Sequence, residues 1–140
     1  MNNKGFTLVE VLATVAILGI LIGLTVPASI AIGNRIKTNM YCKKITMLEK
    51  SAVLYGQDNY DLVYSKGTTG LTIKVSDLVI NGYLKKDNKD LEVGKGAIVN
   101  PKTSGSLDNY RIRLKVDNVN TKNRVTATCI ESDCTNLCPE

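Results

Sequence analysis

KGFTLVEVLATVAILGILIGLTVPASIAIGNR, residues 4–35, sets the architecture of this chain. No charged residue lies between Glu10 and Arg35, and Val11–Ile32 is apolar except for Thr14, Thr25, Ser29 and a few glycines. At a rise of about 1.5 Å per residue, a helix over these positions is roughly 33 Å long, enough to cross a hydrocarbon core of about 30 Å. The stretch therefore predicts a helix that can span a membrane.

Glu10 lies directly before the apolar run. An unpaired carboxylate in lipid costs about 2.5 to 3.5 kcal/mol or more, so Glu10 needs a positively charged partner. If the chain were cut between Gly5 and Phe6, the new α-amino group would lie about one helical turn from Glu10. The carboxylate would also lie at the positive end of the helix dipole. We therefore expect a functional role for Glu10 that depends on this cut.

These residues resemble the class III signal sequences of type IV pilins and pseudopilins. In that family a short basic leader ends in glycine, an aromatic residue follows, and a glutamate occupies the fifth mature position. Here the matching residues are Lys4, Gly5, Phe6 and Glu10. The resemblance implies a prepilin peptidase that cleaves after Gly5 and methylates the amine of Phe6. It covers about the first quarter of the chain.

Three positions inside the helix extend the resemblance. Pro27 falls where many pilins have a helix-bending proline, and a proline removes one backbone hydrogen bond of a helix. Gly19 and Gly23 lie in the segment that some pilins unwind in the filament. The resemblance therefore implies a kinked helix.

Two simpler interpretations compete with this one. A secretory signal would share the basic start and the apolar stretch, and Ser29–Ala31 could supply its cleavage site. However, Glu10 is unfavourable in such a signal, and the run is longer than the usual ~7 to 15 residues. A plain membrane anchor explains the length but not the combination of Gly5, Phe6 and Glu10.

The composition of the rest of the chain limits its function. About one hundred residues remain for one small domain, with four Cys, no Trp and a formal net charge of +5 for the full chain. There is no His, no glycine-rich phosphate loop and no nucleophile elbow. We therefore expect a protein that is not an enzyme and that has no cofactor and no metal site.

A second apolar pattern follows the first along the same helix. Tyr41, Ile45, Leu48, Ala52 and Tyr55 are spaced by four, three, four and three residues, which places them on one helical face. Five basic residues fall largely on other faces: Arg35, Lys37, Lys43, Lys44 and Lys50. The helix is predicted to end near Gly56–Tyr60, and its stripe predicts packing against another element.

The C-terminal half has the pattern of a small mixed domain. Asn59–Gly70 is predicted as a loop, and Thr72–Val75 as a short strand or an extended segment that leads into the next helix. Ser76 is predicted as the N-cap of a short helix that has Asp77 in its first turn and Gly82 just past its end. The weaker pattern LV..GYL in this helix also resembles pilins. Irregular chain is expected over Lys85–Lys95, a turn over Asn100–Gly105, and a hairpin of strands over Tyr110–Val116 and Arg124–Ile130.

The apolar face of this sheet and the stripe of the helix can cover each other. The predicted fold is therefore α+β and pilin-like, with a long kinked N-terminal helix, transmembrane in its first half, packed against a small antiparallel sheet. Its predicted segments are a leader (1–5), a transmembrane and filament-core helix (6–33), an amphipathic continuation (34–60) and an extracellular domain (61–140).

Outside the membrane the four cysteines would be oxidised, and they permit three pairings. We favour Cys42 with Cys129 and Cys134 with Cys138, because Cys129 shares the inward face of its strand with Val125 and Ala127. Zinc is the alternative, but the C-x4-C-x3-C spacing without histidine is a poor match to zinc sites.

One basic row is a candidate binding patch, and it comprises Arg111, Arg113, Lys115, Lys122 and Arg124. The simpler interpretation is the solvated face of an edge hairpin that its charge keeps from aggregating. The sharper interpretation is capture of DNA.

The sequence thus predicts a structural subunit of a type IV pilus or pilus-like filament. Its expected partners are a prepilin peptidase, other pilin subunits and, before assembly, the cytoplasmic membrane, which it crosses once before it joins a filament on the cell surface. Two alternatives stay open: a membrane-anchored binding module, such as a DNA receptor for competence, and a pseudopilin of type II secretion.

Overall fold

The computed structural model describes the backbone of residues 7–117 and 124–138, and the side chains of these residues except 24–29. The helices are α1 (Leu8–Asp58), α2 (Tyr60–Ser65), a 3₁₀ helix (Gly67–Thr69), α3 (Val75–Ile80) and α4 (Ser132–Leu137). The strands are β1 (Leu71–Lys74), β2 (Arg111–Val116) and β3 (Val125–Cys129). This long N-terminal helix with a small antiparallel sheet confirms the predicted α+β class.

The chain divides into two compact units, and the boundary lies between Ile36 and Lys37 within α1. The first unit contains the N-terminal part of α1. The second contains the remainder of α1, the three strands and the short helices. The hydrophobic core lies entirely in the second unit.

The predicted stripe on α1 forms one wall of this core. Tyr41, Ile45, Leu48 and Ala52 are buried, and Tyr55 is half-buried against the same cluster. Gly56 continues the stripe and lies against Val125 and Leu114 of the sheet. A Cβ at Gly56 would lie 2.8 Å from Val125 Cγ1, so a larger residue would fit only if Val125 shifted. The prediction of helix-to-sheet packing is therefore confirmed.

The sheet has the strand order β1-β2-β3, and both pairs are antiparallel. Alternation along β2 buries Ile112 and Leu114 and exposes Arg111, Arg113 and Lys115. The register pairs Leu114 with Leu71 of β1 and with Ala127 of β3. Both the hairpin and the inward face of β2 are as the sequence predicts.

Carboxylates occupy both open edges of the sheet. Asp77 Oδ2 accepts the backbone N–H of Lys74 in β1 at 3.0 Å. Glu49 Oε1, from α1, accepts the N–H of Cys129 in β3 at 2.8 Å. An unpaired edge N–H is a template for strand addition, so these two bonds help to prevent edge-to-edge pairing.

Two local predictions were wrong, and one helix was missed. The segment predicted as a loop, Asn59–Gly70, contains α2 and the 3₁₀ helix. The N-cap of α3 is Lys74 and not Ser76, because Val75 already has helical geometry and Asp77 bonds back to the N–H of Lys74. Helix α4 was missed because its six residues carry no apolar stripe.

A buried carboxylate organises the long segment between α3 and β2. Asp108 is 0% exposed, and its Oδ2 accepts backbone N–H groups from Gly94 at 2.9 Å, Gly96 at 2.8 Å and Ala97 at 3.0 Å. Its Oδ1 accepts the N–H of Ile98 at 2.7 Å. Gly94 and Gly96 have φ angles of +92° and +96°, a conformation that favours glycine. These four hydrogen bonds, rather than those of a helix or a strand, hold the backbone of the segment in place.

The same four hydrogen bonds also determine the charge state of Asp108. Burial by itself would raise the pKa of this carboxyl, but the four backbone donors overcome that effect and hold its pKa below the usual range. Asp108 therefore stays ionised while it is buried.

We expect Asp108→Asn to lower the free energy of unfolding by roughly 3 kcal/mol, because the new amide N–H₂ would face backbone donors. Chemical denaturation of the detergent-solubilised chain, followed by far-ultraviolet circular dichroism, measures this. The control is Asp90→Asn, since Asp90 is exposed. Equal stability of the two variants would contradict the role of Asp108.

The same carboxylate predicts a pH dependence. Since folding lowers the pKa of Asp108, its contribution is fully present above the ordinary pKa of aspartate and is lost as pH falls through the folded pKa. Acid titration of the wild type should show this loss, and Asp108→Asn should show a smaller one.

Candidate functional site

The N-terminus of α1 places Glu10 in the first helical turn. Thr7 precedes the helix, and its Oγ1 accepts the backbone N–H of Glu10 at 3.3 Å, as the hydroxyl of an N-cap does. The pattern Thr7-x-x-Glu10 is that of a capping box. The exposed carboxylate of Glu10 thus lies at the positive end of the helix dipole. Gly5 and Phe6 lie outside the described residues, so cleavage and methylation there stay predictions.

The part of α1 that follows is apolar and uncovered. Of the side chains described between Leu8 and Ile36, none is buried. Leu8 is 79% exposed, Ile20 is 65% exposed, and Val11 is still 49% exposed. A helix that is apolar on all sides is normally enclosed by lipid or by other helices. This surface is therefore available to a partner outside the chain.

Over the part of the chain whose structure is described, no helix is both long enough and apolar enough to count as a membrane span. The transmembrane assignment of residues 6–33 stays a prediction from the sequence. The backbone is helical through position 27, and the side chain of Pro27 lies outside the described ones, so the predicted kink stays a prediction as well.

Gly19 and Gly23, in the N-terminal part of α1, do not pack against other described residues. A Cβ built at Gly19 or Gly23 would have no heavy atom within 4 Å. Any requirement for glycine there must come from a neighbouring molecule or from unwinding of the helix.

All four cysteines form disulfides, but the favoured pairing was wrong. The bonds join Cys42 to Cys138, with Cα atoms 5.4 Å apart, and Cys129 to Cys134, with Cα atoms 6.0 Å apart. The reason is α4, which was not predicted: it buries Cys134 beside Cys129 and brings Cys138 to Cys42. With every thiol in a disulfide, no cysteine is available as a zinc ligand.

Two buried or half-buried tyrosines reinforce this attachment. The hydroxyl of Tyr41 in α1 lies 3.6 Å from Cys134 Sγ, and the hydroxyl of Tyr110 donates to Asp133 Oδ2 at 3.1 Å. Burial, together with the nearby Tyr110, raises the pKa of Tyr41 far above its ordinary value. The phenol therefore stays neutral. Helix α4 is thus held to α1 and to the sheet by polar contacts as well as by disulfides.

Mapping of non-reduced peptides should link Cys42 to Cys138.

Replacing both with alanine removes a cross-link over 96 positions, worth about 4 to 5 kcal/mol in the chain-entropy model. We expect a loss of that size in chemical denaturation. The matched variant, Cys129→Ala with Cys134→Ala, removes a cross-link over 5 positions. In the same model this link contributes only about 2 kcal/mol to the free energy of unfolding. A peptide joining Cys42 to Cys129 would contradict the observed pairing.

The candidate basic patch lies on the outer face of the sheet, where Arg111, Arg113 and Lys115 are exposed. Arg111 forms an ion pair with Glu131, in which its Nε lies 2.8 Å from Glu131 Oε1. This bond from Arg111 holds the pKa of Glu131 below its usual range and raises that of Arg111. Arg124 is also exposed, while Lys122 lies outside the described residues.

Sequence reasoning missed one member of this face. Lys74 of β1 is exposed and pairs with Arg111 in the register, so it extends the basic surface to the first strand. The alternation of β1 could have indicated this. Among the described residues, this face holds Lys74, Arg113 and Lys115 beside the pair of Arg111 and Glu131. A shallow depression of about 170 Å³ on it is lined by Arg113, Lys115, Thr126, Thr128 and Ile130.

Comparison with known families gives one match. Residues 1–26 match the prokaryotic N-terminal methylation motif, which is the signature of type IV pilins and pseudopilins. The motif implies processing by a prepilin peptidase and assembly with other pilin subunits. No curated protein and no solved structure matches the chain. The match includes the predicted cleavage position and Glu10, and it ends before the domain that contains the sheet.

Proposed function

We propose that this chain, which carries the prokaryotic N-terminal methylation motif, is the precursor of a structural and non-catalytic subunit of a type IV pilus or pilus-like filament. One observation carries the proposal. The motif coincides with the start of α1, where apolar side chains between Leu8 and Ile36 are exposed and Glu10 is at their head. Processing would create a cation for Glu10, and assembly would cover the apolar surface.

The first step is processing. A prepilin peptidase hydrolyses the peptide bond between Gly5 and Phe6 on the cytoplasmic side, and the new amine of Phe6 is methylated. Before assembly, the apolar helix lies in the cytoplasmic membrane and the domain with the sheet lies outside. The filament that forms is on the cell surface.

The second step is transfer of the helix from lipid to the filament core. One apolar environment replaces another, so the transfer changes little hydrophobic free energy, and packing and polar pairing decide it. Glu10 of one subunit then neutralises the methylated Phe6 amine of a neighbour. Because this pair is buried in an apolar core, it fixes the axial position of each new subunit.

The variant Glu10→Gln tests this pairing, because it keeps the size of the side chain and removes its charge. An unpaired amine in the core costs about 3 to 5 kcal/mol, so the yield of sheared filaments should fall by roughly tenfold or more. Membrane insertion and the N-terminus at Phe6 should be unchanged. The control is Asp61→Asn, since Asp61 is an exposed carboxylate in the domain and lies away from Glu10 in the sequence. Normal filaments from Glu10→Gln would refute the role proposed for Glu10.

A DNA receptor is the competing function, and the basic face of the sheet is the observation in its favour. Lys74, Arg113 and Lys115 could contact phosphates, and such contacts would make binding weaken steeply with salt. The neutralisation of Arg111 by Glu131 reduces the charge available for this function. Within the filament class, the choice between a pilin and a secretion pseudopilin depends on the partners of the filament.

A further inference from the structure

Helix α1 has a second apolar stripe, on a face that its own domain does not cover. Met40, Met47 and Leu54 are spaced by seven residues, which places them on one helical face. They are 53%, 42% and 55% exposed. Lys43 and Lys50 occupy the intervening positions of the same stripe and are exposed. Apolar and basic side chains therefore alternate along this surface.

Two grooves meet on this stripe at Met47. One, of about 490 Å³, lies between α1 and the segment before β2, and Met40, Met47, Val99 and Pro101 form most of its wall. The other, of about 410 Å³, lies along α1 and is lined by Cys42, Lys43, Thr46, Met47 and Lys50. Lys43 lines both. Methionine side chains adapt readily to an inserted apolar group, so this surface suits a small apolar knob.

The charge of the grooves is set by two lysines. Lys44 also lines the larger groove, but its Nζ lies 2.6 Å from Asp87 Oδ1, so its charge is neutralised. Lys43 and Lys50 form no ion pair with the residues whose side chains are described. The occupant should therefore carry two carboxylates beside an apolar side chain.

The chain itself presents such a group. Four large apolar side chains outside α1 are exposed in the described part of the second unit, and they are Leu62, Tyr64, Ile80 and Leu91. Of these, Leu91 alone has a carboxylate on each side in the sequence, Asp90 and Glu92. Leu91 is 38% exposed, and its carbonyl accepts Lys86 Nζ at 3.0 Å, which holds the loop in place. Glu92 pairs with Lys95 at 2.7 Å, but both side chains are about three-quarters exposed and the pair is weak.

We propose that a second copy of this chain inserts Leu91 at Met47, with its Asp90 and Glu92 facing Lys43 and Lys50. The groove at Met47 and the exposed Leu91 are different surfaces, so the contact is heterologous. Each subunit can therefore bind one neighbour through its groove and a second neighbour through its Leu91. Contacts of this kind build open helical assemblies when the rotation does not close a ring. The inference rests on the proposed filament function and adds to it a contact between the domains.

A charge-exchange experiment with the full chain tests the contact. Lys43→Glu with Lys50→Glu should lower the yield of sheared filaments by roughly tenfold or more, because like charges would then face each other. Asp90→Lys with Glu92→Lys should lower it similarly. The chain with all four substitutions should recover most of the yield. The control, Lys66→Glu with Lys85→Glu, changes two exposed lysines outside the grooves and should leave the yield unchanged.

Three results would overturn the inference: normal filaments from Lys43→Glu with Lys50→Glu, no recovery in the four-substitution chain, or an equal loss in the control. If recovery fails and the Lys43 and Lys50 variant instead loses binding to vesicles of anionic phospholipid, the groove faces the membrane. The behaviour of the wild-type chain distinguishes a failure of this inference from a failure of the proposed function. Wild-type filaments with an N-terminus at Phe6 support the function whatever the charge exchange shows, whereas a wild type without processing or filaments removes the function itself.

Discussion

An apolar helical surface must be covered, and successive parts of α1 meet this requirement in different ways. The stripe from Tyr41 to Ala52 is buried by the sheet, which in turn depends on the helix for its own core. The apolar side chains described between Leu8 and Ile36 are exposed. One helix therefore both builds a domain and leaves a surface that needs a lipid or protein environment. The proposed filament answers that need with other copies of the same helix.

The domain is small, and directed polar contacts and cross-links supplement its core. Asp108 gathers four backbone donors and organises a segment that lacks regular structure. The disulfide between Cys42 and Cys138 attaches the C-terminal helix to α1, and Glu49 and Asp77 occupy the edges of the sheet. Such devices are expected where a thin core supplies limited stability. Glu49 and Asp77 also hinder strand addition at the two edges of the sheet, because each accepts one backbone N–H there.

Periodic patterns predicted the fold well, and single contacts were poorly predicted. The spacing of Tyr41, Ile45 and Leu48 specified the helical face, and the alternation of β2 specified the hairpin, because each pattern repeats over many residues. The disulfide pairing was wrong because it depends on α4, a helix too short to show a period. Asp108 gave no signal, since an isolated aspartate in a turn-rich segment is ordinary and its donors lie ten or more positions away. For the functional site, Gly5, Phe6 and Glu10 were identified from a motif that the family comparison matches.

The intact mass of the protein recovered from the membrane, before and after reduction, tests the central claim most directly. The account predicts a chain that begins at Phe6, carries one added methyl group, and gains on reduction the hydrogens of two disulfides. A chain that begins near Ser29 to Ile32 would instead identify a secretory signal, and it would remove both the apolar surface and Glu10 from the mature protein. That result would contradict the filament account.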